Sequence, residues 1–234
     1  MKSLTSVTKD LKMTSRACLT GLLLTATSLS VFAGTIVGTQ HDFSASGWSG
    51  QEICVACHTP HNSDTGVTDA PLWNHTVTTA SYTLYTNPGT LNATTAQPSG
   101  VSKLCLSCHD GTVAIDSIVN SPLVSPLPAT NIMSGDSVVG GDGLNNDHPI
   151  SFAYNAALAT ADGALHDPTS TTTTIGTGTD SKTDFISEVM LFGANKDQVE
   201  CATCHDVHNK FTDGGKLLRI SNAGSGLCLT CHNK

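Results

Sequence analysis

Five residues, Cys-x-x-Cys-His, recur four times in this 234-residue chain, at Cys54–His58, Cys105–His109, Cys201–His205 and Cys228–His232. The spacing suits one chemistry above all. Two thiols presented by a tight turn can add across the two vinyl groups of a single porphyrin. The histidine that follows then lies beneath the ring, within reach of the iron. On that reading Cys54, Cys57, Cys105, Cys108, Cys201, Cys204, Cys228 and Cys231 attach four haem c groups, and His58, His109, His205 and His232 are their proximal ligands. Two other chemistries would use the same cysteines. Zinc ribbons pair C-x-x-C units, which would leave the four histidines idle. Disulfide frameworks belong to exported proteins, but they require no histidine after every second cysteine.

Each iron needs a second axial ligand, and the ten histidines supply the candidates. Beyond residue 33 the chain has Met133 and Met190 as its methionines, too few for four His/Met sites. Bis-histidine ligation is therefore expected, with lower potentials than His/Met. His61 and His208 each follow a proximal histidine by three residues, a tether that points an imidazole away from its own haem and towards a neighbouring iron. His148 precedes Pro149, which pushes its backbone towards the extended region and steadies its ring. His41, in Thr39–Ser44, is a further distal candidate, and His75, in Trp73-Asn74-His75, is left open. His166, before Asp167-Pro168, reads as a turn residue that hydrogen-bonds locally. Five candidates for four places leave one to serve a neighbouring subunit or only to pack.

These residues must be held by a chain with little conventional core. Its first 33 residues read as a cleaved signal peptide: Lys2, Lys9, Lys12 and Arg16 precede an apolar run from Ala17 to Phe32, with small residues before a cut after Ala33. The run is short and threonine-rich for a membrane anchor, and Cys18 at its front leaves with it. Removing the four basic residues and Asp10 from 11 Lys+Arg and 19 Asp+Glu leaves 7 against 18. That balance argues against nucleic-acid binding, which needs clustered cations. Residues 34–234 form one expected domain: a di-haem unit over about 34–120, a haem-free insertion over about 121–187 and a di-haem unit over 188–234.

Only 5% of residues are aromatic and 13% charged, and long helical or alternating patterns are scarce. The expected fold is mostly irregular and loop-rich, with short helices, a few short strands and porphyrins forming most of the core. Ser102-Lys103-Leu104 should begin a helix carrying the second word. Ile150, Phe152 and Tyr154, at period two, predict a strand, as do Tyr82, Leu84 and Tyr85. Ile36 and Val37 have slight strand character, and Glu188–Phe192 leads into the third word as a short element. Thr169–Thr179 reads as an exposed loop.

The strings HDFS, CVACHTPH, APLWNH, SKLCLSCHDGTVA, NNDHPISF, CATCHDVHNK and SNAGSGLCLTCHNK span nearly all of residues 34–234. Together they resemble the doubled Cys-x-x-Cys-His multihaem cytochrome family, in particular its tetrahaem outer-surface members from metal-reducing bacteria. The resemblance implies four bis-histidine haems with His41, His61, His148 and His208 as distal ligands; the position of His75 is less uniform. It also implies polymerisation into extracellular filaments, with a histidine of one subunit ligating a haem of the next. Electron transfer without bond-making on a substrate is then the expected function. The expected partners are other copies of the chain, other multihaem cytochromes and external acceptors such as metal oxides. A monomeric periplasmic shuttle is the first alternative. A nitrite- or hydroxylamine-type oxidoreductase is the second, and it would need an iron with a vacant position. No Cys-x-x-Cys-Lys word is present, and histidines outnumber the vacancies.

Overall fold

Regular structure is sparse, as a chain broken by prolines and rich in Thr, Ser and Gly dictates. The structure is a computed structural model that describes residues 36–233 except 68, 69, 125, 142 and 214. The signal-peptide segment, with Cys18 and the cut after Ala33, lies outside the described residues. Five α-helices occur among the described residues: α1 (Gly100–His109), α2 (Ala156–Asp162), α3 (Ile186–Val189), α4 (Cys201–Cys204) and α5 (Gly226–Cys231). Four strands form two antiparallel pairs. β1 (Phe152–Ala153) meets β4 (Gln198–Val199), and β2 (Thr172–Ile175) meets β3 (Lys182–Phe185). Among the described residues no helix is long and apolar enough to cross a membrane.

The second haem word rides on α1, and the period-two pattern after His148 becomes β1, with Phe152 opposite Val199. Three expectations fail for identifiable reasons. Thr172–Ile175 is a strand and not an exposed loop: Thr172 pairs with Phe185 and Ile175 with Lys182. β-branched threonines suit a pleated surface, and Ile175, only 1% exposed, pins the strand to the core. Tyr82–Tyr85 forms no strand beyond a single bridge from Leu84 to Leu144, and at Tyr82 the Gln97 amide takes the main-chain hydrogen bonds. Tyr82 N donates to Gln97 Oε1 at 2.9 Å and Gln97 Nε2 donates to Tyr82 O at 2.8 Å. Ile36 and Val37 enter a turn closed by Thr39 N donating to Ile36 O.

Apolar burial gathers in two clusters. In the larger, Tyr154, Ala159, Ile175 and Ile186 pack with Met190 and Val199, and Leu227 and Cys231 lie against them. The stretch without a haem word thus supplies the core on which the third and fourth words rest. The smaller cluster joins Tyr82, Leu106 and Leu144 under the second word. α2 contributes its Ala159 through well-defined ends. Asn155 caps it by accepting from Leu158 N, and Gly163, at φ 74°, ends it.

Buried polar side chains stitch the haem-word segments together. Glu200, 3% exposed, accepts from Ser102 N of α1 and from Ser151 Oγ, both at 3.1 Å. Ser102 Oγ accepts from Cys201 N at 2.9 Å. Glu200 also caps α4 reciprocally with Thr203, satisfying donors that a four-residue helix leaves open. The first word has no helix. Asn74, fully buried, holds it instead: its N donates to Cys57 O and its Nδ2 to Val55 O, at 2.9 and 2.7 Å.

Candidate haem sites

Each word folds as one helical turn, which is why its two cysteines share an edge. His58 N donates to Cys54 O at 2.8 Å, His205 N to Cys201 O at 3.1 Å and His232 N to Cys228 O at 2.9 Å; the second word turns within α1. The eight described cysteines are all free thiols, so no disulfide uses them. Among the described residues no group of three or more His, Cys, Asp and Glu side chains converges as a zinc cage requires.

The proximal histidines are oriented from behind. His58 Nδ1 lies 2.8 Å from Pro71 O, His109 Nδ1 2.8 Å from Ser137 O, and His205 Nδ1 2.9 Å from Lys216 O. A carbonyl only accepts, so in each case Nδ1 carries the proton and Nε2 keeps its lone pair. A second hydrogen bond of this kind is how proteins aim a ligating imidazole and raise its basicity. His148 has the same arrangement, with Nδ1 2.9 Å from Pro149 O.

Three of the proximal imidazoles face a second imidazole. His58 stands 6.3 Å, centre to centre, from His208 with the planes 13° apart. His232 stands 6.3 Å from His148 at 79°, and His109 stands 5.9 Å from His41 at 50°. An iron between two imidazoles, with metal–nitrogen bonds of about 2 Å, separates the ring centres by about 6 Å. His41, His148 and His208 are thus brought opposite proximal histidines. His61 is not. It is exposed, and among the described residues no ring contacts it or His205. His75, 1% exposed, has Nδ1 2.8 Å from Thr76 O and Nε2 2.9 Å from Ala114 O, with Cys108 Sγ 3.5 Å from Nε2, so both nitrogens face main-chain carbonyls. His166 meets the fourth word through its backbone: its N donates to Cys231 O, and its O accepts from the Tyr154 hydroxyl.

The thiols show how the words neighbour one another. Burial pushes Cys108 up to about 12, with Cys57 and Asp110 adding to it. Cys105 is raised by a hydrogen bond with Cys201 and then by burial. Burial raises Cys204, with Cys201 and Cys228 adding, and pushes Cys231 up to about 12 with Cys204 adding. The words therefore adjoin in sequence order, first to second to third to fourth.

Composition gave no warning of the buried charge around them. Asp110, 5% exposed, directly follows His109. Burial alone would raise its carboxyl, but hydrogen bonds from Thr78, Tyr82 and Thr112 outweigh that and lower it. Asp206, 6% exposed, accepts from the backbone N–H groups of His208, Lys210 and Phe211. Both acids occupy the position after a word's histidine, a signal the sequence did carry. His41 is held below its usual value, first by burial and then by the nearby His109, His205 and His208.

Three buried polar atoms among the described residues lack a hydrogen-bond partner: His41 Nδ1, Trp73 Nε1 and Arg219 Nε. Each belongs to a residue beside a haem word. His41 faces His109, Trp73 meets His58 edge-on at 6.2 Å, and Arg219 N donates to Cys204 O at 2.9 Å. Together with the paired imidazoles, these orphaned atoms fit a large flat ligand with polar edges at the words. Arg219 went unread in the sequence; its signal was that it is the one arginine after Arg16.

A family described as the doubled CXXCH motif matches residues 193–234, which hold the third and fourth words. No curated protein matches the chain. The match supports a multihaem c-type cytochrome, a class that carries electrons on covalently bound haem c.

Proposed function

We propose that the chain is an extracellular tetrahaem cytochrome with every iron between two histidines. In this reading its copies polymerise into a filament that relays electrons to external acceptors such as metal oxides or other multihaem cytochromes. It makes and breaks no bond in a substrate. The motifs resemble those of the filament-forming outer-surface cytochrome OmcE, and the basic, apolar and small-residue regions before Gly34 support export. The observation that carries the reading is the set of three imidazole pairs at 5.9–6.3 Å.

Bound haem supplies a reversible one-electron couple at each iron. The chain's own residues do the rest. Carbonyls of Pro71, Ser137 and Lys216 keep the proton on Nδ1 and the Nε2 lone pair directed outward. His208, His41 and His148 occupy the far sides of the first, second and fourth sites. With haem bound, a second histidine at each of these sites would close the iron to substrate and lower its potential. Buried Asp110 and Glu200 favour the more positive, oxidised state beside the second and third words. Adjacency of consecutive words gives a short path between neighbouring sites.

His205 and His61 are the remaining proximal and distal candidates. In the proposed filament His61 of one copy completes the site of His205 in the next, so four of the five distal candidates fill the four places. His75 then only packs.

A pyridine haemochrome assay with an iron count on the purified protein is expected to give four haems per chain. Negative-stain microscopy is expected to show filaments. Fewer haems would overturn the tetrahaem reading, and discrete small particles at native concentration would leave a monomeric shuttle instead.

A further inference from the structure

Arg219 is a half-buried cation whose Nε is buried without a hydrogen-bond partner. Among the described residues every lysine is exposed, so Arg219 is the one strong base drawn inward. Its Nη1 donates to Val189 O at 3.2 Å, and the guanidinium lies 5.7 Å from the Phe192 ring centre. Nε is buried and unsatisfied. Asp206 is the nearby acid, yet its oxygens are taken by three backbone N–H groups and it forms no ion pair with Arg219. A buried N–H donor left unpaired is costly, and a guanidinium fork is built to take a carboxylate.

The backbone fixes where that fork sits. Arg219 N donates to Cys204 O and Arg219 O accepts from Gly176 N, both at 2.9 Å, which ties the residue between the third word and the end of β2. Gly176, at φ 71°, has no room for a side chain: a Cβ there would lie 3.0 Å from Phe211 Cα. The arginine is thus clamped against the third word by main-chain contacts on both sides.

We propose that the Arg219 guanidinium binds a propionate of the haem attached at Cys201 and Cys204 and thereby raises the potential of that site. This rests on the tetrahaem reading above. A porphyrin's propionates are the carboxylates such a site would receive, and they would satisfy Nε without moving Asp206 from its turn. A fixed positive charge beside one iron favours its reduced state. Arg219 thus sets one step of the relay apart from the other three.

The test is a spectroelectrochemical titration of holoprotein carrying Arg219→Gln, read with the propionate-bending band in resonance Raman. Retention of four haems is checked first by pyridine haemochrome. One of the four one-electron steps should move to lower potential while three stay in place, and one part of the propionate band should shift. Four unmoved steps with an unmoved band overturn the proposal, as does a uniform displacement of all four. If Arg219→Gln does not accumulate with four haems, Arg219→Lys decides. It keeps the charge but loses the fork, so the band should shift while the potential moves less; an unchanged band overturns the proposal. A wild-type protein without haem would instead sink the tetrahaem reading itself.

Discussion

Cys57-His58-Thr59-Pro60-His61 and Cys204-His205-Asp206-Val207-His208 share their spacing, yet the last histidine ends in different surroundings. After the third word, Asp206 gathers the N–H groups of residues 208, 210 and 211 onto one buried carboxylate. His208 is set by that turn and faces His58. After the first word, Thr59 Oγ1 donates to His61 O at 2.9 Å, and Pro60 has no N–H to offer. His61 is left exposed with no ring opposite it. Two residues between the histidines thus decide whether the second imidazole faces a ring of its own chain. Identical motifs need not have identical roles.

Removing the haem should erase the difference altogether. Replacing all eight cysteines of the four words by serine leaves two small apolar clusters to hold the chain. The expected result is loss of cooperative thermal unfolding by circular dichroism. A sharp transition in this variant would show that the polypeptide alone sets both turns.

His208→Ala and His61→Ala should separate next. The first removes a ligand from the site of His58 and should turn one low-spin iron in four high-spin in the electron paramagnetic resonance spectrum. The second should prevent filaments while leaving the other three sites low-spin. Equal effects from the two variants would contradict the assignment of one to its own chain and the other to a neighbour.

Asp206→Ala should cost about 3 kcal/mol, since hydrogen bonds to a charged group are worth about 1.5–3 kcal/mol each and part is recovered from water. A fall in Tm with a weakened His208 site is expected; an unchanged Tm would deny the carboxylate its role in the turn. The exchange Thr59→Asp with Pro60→Val should draw His61 inward and reduce polymer yield.

Ligand planes give a subtler contrast. His58 and His208 lie 13° from parallel, whereas His148 and His232 lie at 79°. Near-parallel planes give a rhombic low-spin signal and near-perpendicular planes a strongly axial one. Both should be present in the oxidised protein. A uniform rhombic spectrum would contradict the geometry at the fourth word.

The smallest effect concerns Asp167, outside both turns. Its carboxyl is lowered by the Thr169 N–H and then its hydroxyl, although it is fully exposed. A lowered folded-state pKa means that the unfolded chain binds the proton first as pH falls below the usual 3.8. Its contribution is present above that value and is lost as pH drops through the lower folded value. Thr169→Ala should slightly lower stability at pH 7, and that deficit should shrink as the pH drops through the window and vanish below it; a deficit that persisted at lower pH would point to packing instead.

The attachment sites were legible because their chemistry is local: two thiols and an imidazole must stand on one turn, and five residues suffice to say so. α1 and β1 were legible for the same reason, each carrying its own pattern. What decides partners lies further apart. His148 meets His232 across 84 residues of chain, and no periodicity reports such a contact. Ile175 is a lone apolar residue among threonines, too faint to mark a strand. Glu200 looks like an ordinary surface charge until folding buries it, and Arg219 until folding buries its Nε. His75 resembled its fellow candidates until Ala114 O was found at its Nε2.

A cryo-electron microscopy map of the assembled protein tests the central claim most directly, because it shows every iron with both its ligands. Three irons should lie between His58 and His208, His109 and His41, and His232 and His148 of one chain. The fourth, on His205, should be closed by His61 of the adjoining copy. A discrete particle with the His205 iron closed from within its own chain would contradict the account, as would an iron left open to solvent.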